Sequence, residues 1–372
     1  MSDARNLQLV STLGADGRLI AELVEEAVPA PTGHEVLLRV EAAPINPSDL
    51  GLLFGPADVA NADYAAGRIV AQMPEPAVKA MAARVGQAMP VGLEGAGLVI
   101  AAGDAPEAQA LLGKRVACFG SGMFAQVRIV DARACIDLPE GVSSEQGASA
   151  FVNPLTALSF VEVMRRDGHS ALVHTAAASN LGQMLVRICK EDGVPLVNVV
   201  RSPAQVAILK GIGAEYVVDT SAEGFIDDLV AAIEATGATV AFDAIGGGKL
   251  GSQILWAMEQ VANRKAGGFS RYGTNSQKHL FIYGALDLSP TILNRNFGFS
   301  WDVSAFLLMP FLEKIGHHNA DRLRTRVRDG LTTTFASSYK AKVTLEQALS
   351  RDCVLEYNAR RTGEKYLVLP NG

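Results

Sequence analysis

Cysteine is scarce in this chain of 372 residues: there are four, and none stands in a CxxC spacing. That excludes a zinc lobe of clustered thiolates. Cys118, Cys135, Cys189 and Cys353 read instead as small apolar residues in a reducing compartment. Basic charge is not in excess either. Lys and Arg number 33 against 39 Asp and Glu, a net charge of −6. Nucleic acid and anionic membrane surfaces usually require a basic face, so neither is an expected partner. No run of about 18 uninterrupted apolar residues suggests a membrane span. The opening MSDARNLQLV has no apolar stretch of signal length, and the expected location is cytoplasmic.

What is present is apolar bulk. Hydrophobic residues make up 49% and charged residues 19%, the balance of a well-buried globular protein and the opposite of a disordered one. The length exceeds one ordinary core and implies two domains. Residues 1–150 are β-rich, with short branched runs at 36–40, 115–119 and 126–130 between Gly, Pro and Asp turn signals. Residues 58–87 are Ala-rich and read as an insertion, a lid or surface excursion with a short helix at 76–84.

From about Pro154 strands and helices alternate. Strands are expected at 171–175, 194–200, 216–219, 239–244 and 280–283. Helices fall between them, including 181–192 and one started by Ser202 and Pro203. Such alternation means a parallel sheet covered on both faces. The basic stretch 264–279 reads as a solvated loop or a flap over an anion. After Pro310 the chain turns helical, then gives a strand at 365–369 that returns to the first domain.

The chemistry starts at HTAAASNLG, residues 174–182. A nucleotide turn needs backbone N–H groups at a helix N-terminus, where the helix dipole favours phosphate. Its usual GxGxxG spacing falls on Ala177, Ser179 and Gly182, so one glycine of three survives. The context strengthens it. Gly182 opens an amphipathic helix, Ser179 offers a hydroxyl, and Asn180 tolerates unusual backbone angles. Arg201 follows at the end of the next strand, in NVVRS. A carboxylate there would bind a ribose 2′-hydroxyl. An arginine matches a 2′-phosphate by charge and fork geometry, so the expected cofactor is NADPH.

Seven segments in order complete the picture: 36–50 (VLLRVEAAPINPSDL), 91–100 (VGLEGAGLVI), 113–120 (GKRVACFG), 153–158 (NPLTAL), 174–183 (HTAAASNLGQ), NVVR with 209–219 (LKGIGAEYVVD), and 242–247 (FDAIGG). Their order and spacing resemble the medium-chain dehydrogenase/reductase superfamily, in its zinc-free branch of NADPH:quinone oxidoreductases and related enoyl-thioester reductases. The resemblance implies an α/β chain. A GroES-like β-rich catalytic domain would span 1–153 and 312–372, and a Rossmann domain with a doubly wound parallel sheet would span 154–311.

It also implies no metal, because Asn46 and Leu93 stand where zinc-dependent relatives carry Cys and His. Asn46 and Thr156 are the implied catalytic residues beside the nicotinamide. Cofactor contacts are expected from Ala177, Ala178, Ser179, Asn180, Leu181, Gly182 and Arg201. The strand ends Ile245, Gly246, Tyr283, Gly284 and Ala285 are expected to form the cofactor wall. Glu94 is expected to be structural.

The expected reaction is hydride transfer from NADPH to a small-molecule acceptor, a quinone or enone. No acid–base pair stands out in the sequence, and a hydroquinone anion can take its proton from solvent. An enoyl-thioester reductase is the alternative. The proton-donating Tyr that such enzymes carry shortly after NPSD is missing from 50–57, and Tyr64 is the nearest substitute. A non-catalytic NADPH-binding protein is a third reading. A homodimer is expected through an edge strand at 280–283. His169 and His174 read as packed or surface residues.

Overall fold

The computed structural model describes residues 5–267, 270–363 and 365–372; residues 268 and 269 of the expected basic loop lie outside the described residues. The chain divides into two compact units, 1–152 with 324–372, and 153–323. The return to the first unit comes at 324, not 312, because the helix Leu308–Ile315 and the first half of His317–Asp329 cluster with the second unit.

The first unit is built from two sheets. One has the order Asp63–Ala65, Arg68–Gln72, Arg18–Ala27, Arg5–Leu13, Ala88–Pro90. The other runs Cys135–Asp137, Arg115–Phe119, Glu94–Ala102, Glu35–Pro44, Tyr366–Val368, Ala341–Val343, with Val127–Asp131 also paired to Glu35–Pro44. Strand residues alternate between faces. In Glu35–Pro44, Val36, Leu38, Val40 and Ala42 are fully buried. They join a core that includes Leu9, Phe54, Phe124 and Val368.

Residues 58–87 are not a detached excursion, and this corrects the expectation from sequence. Arg68–Gln72 pairs antiparallel with Arg18–Glu22 and extends the first sheet, with Ile69 and Ala71 buried. The expected helix at 76–84 is two pieces, Glu75–Ala80 and a single 3₁₀ turn at Ala82–Arg84. Arg84 reaches from that turn into the core. Its Nη2 donates to Leu52 O and Ser11 Oγ, both at 2.7 Å, and holds the end of the helix Pro47–Leu53.

The second unit carries a six-stranded parallel sheet. Its order is Tyr216–Asp219, Leu196–Val200, Leu172–Thr175, Val240–Asp243, Lys278–Ile282, Trp301–Ala305. In chain order that is third, second, first, fourth, fifth, sixth, the doubly wound arrangement with its switch point between the first and fourth strands. The central strands LVHT, LVNVV and VAFD are buried along their whole length, as a sheet covered on both faces requires. Ala241 packs under the helices Phe225–Thr236 and Leu250–Ala266. Phe242, next along the strand, points to the opposite face and stacks on Phe160 at 4.0 Å.

Two further expectations fail here. Residues 280–283 do not form a sheet edge, because Lys278–Ile282 has Val240–Asp243 on one side and Trp301–Ala305 on the other. On that side the outermost strand among the described residues is Trp301–Ala305. Nor is the basic stretch wholly solvated. Lys278 is fully buried and pairs with Glu259 at 2.7 Å, and Glu259 also accepts from Thr274 N and Oγ1. Residues 144–166 are apolar and long enough to cross a bilayer by composition alone, but most of that stretch is buried within the protein.

Candidate functional site

In the second unit the strand Leu172–Thr175 leads into the helix Asn180–Asp192 through a tight turn. Ala176 has φ 49°, a left-handed conformation that non-glycine residues rarely adopt. Ala177 N donates to Val199 O at 3.2 Å and ties the turn to the neighbouring strand. Ser179 caps the helix, its Oγ accepting from Gly182 N at 3.2 Å. Ala177, Ala178, Leu181 and Gly182 are buried. A Cβ on Gly182 would lie 2.0 Å from Ala177 O, so no other residue fits there. The turn therefore has the form of an anion cradle despite its two missing glycines.

Arg201 is exposed directly after Leu196–Val200, at the carboxyl end of the sheet. Its backbone N–H donates to Gln205 Oε1 at 3.0 Å, and among the described residues its guanidinium makes no ion pair. The helix Pro203–Gly211 starts at once, capped by Ser202.

Asp243 and Thr175, which sequence reasoning did not single out, bind the two strand ends together. Asp243 is buried at the end of the fourth strand. Its Oδ1 accepts from Thr175 Oγ1 at 2.6 Å and Ile245 N at 2.9 Å, and its Oδ2 from Gly246 N at 3.1 Å. Thr175 Oγ1 in turn accepts from Ala244 N at 2.9 Å. The pair locks the two strand ends that flank the switch point. The FDAIGG segment was the available signal, but spacing alone does not show where its carboxylate points.

The wall residues meet backbone to backbone. A Cβ on Gly246 would lie 2.8 Å from Gly284 O, and one on Gly284 would lie 2.6 Å from Ala244 O. Ile245, Gly246, Gly284 and Ala285 thus form two abutting loops at the carboxyl ends of their strands. Tyr283 joins them by its main chain only. Its phenol is bonded to His174 Nε2 at 2.7 Å, and its ring packs on Phe160 at 4.8 Å. Burial depresses His174 to about 3, so the imidazole is neutral at ordinary pH and suits packing. His169 is likewise engaged, its Nδ1 2.7 Å from Thr239 Oγ1. Thr156 is buried near the start of the helix Val152–Arg166.

Asn46 belongs to the first unit, where it precedes the helix Pro47–Leu53. Its Nδ2 donates to Glu94 Oε1 at 2.8 Å. Glu94 is fully buried, and its Oε2 accepts from Phe151 N at 2.9 Å and Val152 N at 2.8 Å. Since the carboxylate only accepts, it fixes the Asn46 amide with Nδ2 inward. Asn46 Oδ1 is buried, turned toward the first turn of that helix, and makes no close hydrogen bond among the described residues. Glu94 is structural in the way the sequence suggested, with all three of these bonds inside the first unit. Among the described residues no group of three His, Cys, Asp or Glu could hold a metal ion.

Tyr64 spends its hydroxyl on Val59 O at 2.8 Å, which leaves it poorly placed as an acid. A second polar cluster lies beside Glu94. Lys365 Nζ donates to Ser149 Oγ at 2.7 Å, and Ser149 Oγ lies 2.9 Å from the Tyr339 hydroxyl.

Asp49 is a second buried carboxyl in the first unit. It accepts from Asn46 N at 2.7 Å and Leu93 N at 2.9 Å. Burial raises it from 3.8 to about 7, with the Glu94 charge adding to the rise. Its folded pKa exceeds its unfolded one, so the folded chain binds the extra proton between those values. Stability contributed by this group is full below the unfolded pKa and falls as pH rises toward about 7, on the order of 1 kcal/mol per pH unit. Urea unfolding at about pH 5 and pH 7 checks this. Wild type should lose stability across the interval, and Asp49→Asn should flatten the slope. An unchanged slope in the variant would falsify the assignment.

The sequence profile of the alcohol dehydrogenase GroES-like domain matches residues 32–140. A Mesorhizobium loti protein, provisionally described as an NADPH:quinone reductase, superposes with a TM-score of 0.75 at 26% identity, covering 100% of both chains. A mutant enoyl thioester reductase from Candida tropicalis superposes with a TM-score of 0.65 at 18% identity, over 98% of this chain and 100% of its own. Prostaglandin reductase-3 from Bos taurus is 27% identical over 228 residues, 59% of this chain and 52% of that protein. The chain thus spans about half the length of that curated relative.

Proposed function

We propose that this chain, which has the two-domain fold of the medium-chain dehydrogenase/reductase superfamily and its GroES-like domain, is an NADPH-dependent reductase of a conjugated carbonyl compound. The observation that carries the reading is the pairing of the Gly182 turn with Arg201 at the next strand end. The turn brings backbone close to where a pyrophosphate would sit, and beyond it the Arg201 guanidinium makes no ion pair among the described residues. The relatives supply the direction, since quinone, enoyl thioester and prostaglandin reductases are all among them.

NADPH supplies a hydride; the chain's part is to hold, orient and keep water out. Ser179, Gly182 and the helix N-terminus would bind the pyrophosphate, and Arg201 the 2′-phosphate. Ile245, Gly246, Gly284 and Ala285 would wall the nicotinamide half. Within the first unit, Glu94 orients the Asn46 amide and leaves its Oδ1 as a buried acceptor. Asn46 and Leu93 support chemistry without zinc, because neither side chain suits that metal.

Arg201→Ala tests the reading. Charge-assisted hydrogen bonds to phosphate contribute about 1.5–3 kcal/mol, so the NADPH Kd should rise roughly 10- to 100-fold. NADH, which lacks the 2′-phosphate, should change by less than about threefold on the same scale. Isothermal titration of both cofactors against both proteins decides it. Equal losses for the two cofactors remove Arg201 from the 2′-phosphate site.

A further inference from the structure

Two of the four cysteines face each other across a strand pair in the first unit. Cys135–Asp137 ends the second sheet and pairs antiparallel with Arg115–Phe119, which sets Cys135 directly opposite Cys118. Directly opposite residues share one face of a sheet. The other two cysteines are on helices, Cys189 in Asn180–Asp192 and Cys353 in Arg351–Asn358.

The hydrogen-bond pattern fixes how close the paired side chains come. Leu138 N donates to Arg115 O at 3.0 Å, so these two residues form a hydrogen-bonded pair. Such pairs alternate with non-hydrogen-bonded ones along an antiparallel ladder. Along this register Ile136 and Ala117 are then hydrogen-bonded, and Cys135 and Cys118 are not. The far side of Arg115–Phe119 agrees. Gly120 N donates to Leu93 O and Val99 N to Lys114 O, both at 2.9 Å. Cys118, opposite Gly95 in the same alternation, therefore directs its main-chain groups at Glu94–Ala102 and away from Cys135. In a non-hydrogen-bonded pair the Cα atoms are about 4.5 Å apart and the side chains are at their closest. A disulfide spans Cα separations of about 4.4–6.8 Å, so this backbone can carry one without moving.

Both cysteines are free thiols, and they are hydrogen-bonded to each other. Cys118 Sγ also lies 3.8 Å from Gly95 O, and Cys135 Sγ lies 3.5 Å from Asp131 O. Their exposure differs: Cys118 is fully buried, while Cys135 is half-buried at the sheet edge. Contact with the Cys135 thiol and burial push the Cys118 thiol well up, with the Glu94 charge adding to the rise. Cys118 thus stays protonated and shielded, and Cys135 is the sulfur that an oxidant meets first.

We propose that Cys135 and Cys118 are a modification site, where a hydroperoxide makes a cross-strand disulfide that pins the edge strand Cys135–Asp137. The Cys135 thiolate attacks a peroxide oxygen. An S–O bond forms as the O–O bond breaks, and the leaving oxygen takes up a proton as water or an alcohol. Cys135 is then a sulfenic acid. Cys118 Sγ attacks the Cys135 sulfur next. The S–S bond forms, the S–O bond breaks, and the hydroxide leaves as water with the Cys118 proton. The two thiols lose two electrons and two protons, and the peroxide gains both. Contact between the sulfurs favours this step over further oxidation of the sulfenic acid.

The place of the bond sets its effect. Asp137 on the edge strand pairs with Arg328 at 3.0 Å, so the strand anchors part of the returning chain. The disulfide closes residues 118–135 into a loop that contains Val127–Asp131, itself paired with Glu35–Pro44. Closing the loop restricts the open chain and makes fraying of the edge rarer.

Reduced, desalted wild type treated with hydrogen peroxide at neutral pH tests the proposal. Peptide mapping without reductant should show Cys118 joined to Cys135, with an intact mass lower by two hydrogens. Dithiothreitol should reverse both changes. Amide exchange at Leu138, whose bond to Arg115 opens when the edge frays, should slow roughly tenfold or more in the oxidised protein. Cys118→Ala removes the second sulfur, and its Cys135 should accumulate a sulfenic acid that dimedone captures. Cys135→Ala should leave Cys118 unmodified. The wild-type readings do not depend on either variant folding.

Peroxide-treated wild type that keeps both thiols, or that carries Cys135 to a sulfinic acid without the disulfide, overturns the proposal. A disulfide to Cys189 or Cys353 in place of this one overturns it too, as does an unchanged exchange rate at Leu138.

Discussion

Gly182→Ala is expected to weaken NADPH binding by about two orders of magnitude or more, the loss of one or two charge-assisted N–H···phosphate bonds. The added Cβ would sit 2.0 Å from Ala177 O, 2.6 Å from its carbonyl carbon and 2.8 Å from its Cα. All three are backbone atoms, so no side chain can swing aside. The turn cannot drift freely either, because Ala177 N is tied to Val199 O and Ser179 Oγ to Gly182 N. Relief requires the turn to open, which moves the helix N-terminus away from the phosphate position. Overpacking of this kind also costs about 1–3 kcal/mol of stability. Titration calorimetry and a thermal melt read the two effects separately. A variant that binds NADPH within about threefold of wild type on that free-energy scale would mean the cofactor does not use this turn.

The second large effect falls in the other unit. Glu94→Ala should lower stability by about 3–5 kcal/mol in urea unfolding, the range for breaking a buried charged network from one side. Three donors lose their acceptor at once: Asn46 Nδ2, Phe151 N and Val152 N. Glu94→Gln should be milder. A glutamine has one accepting oxygen, which the two backbone N–H groups can share, and its amide then faces Asn46. Asn46 can turn over and offer Oδ1, the atom that makes no close hydrogen bond in the wild type. The cost should then be about 1–2 kcal/mol. Equal losses from Ala and Gln would show that charge rather than hydrogen-bond count governs the site.

The strand, turn and helix of 172–192 were legible because their information is local. Strand LVHT, the turn, and the helix from Asn180 lie within about twenty residues, and buried parallel strands read as unbroken apolar runs. Asn46 and Glu94 were singled out through motif order, and a hydrogen bond joins them. Tyr339, Ser149 and Lys365 were not, since their contacts span 190 and 216 residues and no spacing announces them. The edge strand was misplaced because WDVSA is short and mixed in polarity, so 280–283 was taken for the sheet's last strand. Lys278 was counted with a solvated charge run, while its partner Glu259 lies on the helix before the loop.

One pairing bears on how the chain reaches this state. Tyr366–Val368 lies between Glu35–Pro44 and Ala341–Val343, with Leu367 opposite Pro44 and Val368 opposite Ala43. More than 300 residues separate those partners, a loop whose closure entropy must be met before the contact returns anything. The second unit has no such debt, since its strands come in one continuous stretch. On a ribosome it can therefore fold while the first unit still waits for the last strand of its second sheet. The Ala43–Pro44 end of Glu35–Pro44 stays unpaired during that wait, and that is where a stalled or truncated nascent chain would seek chaperone cover.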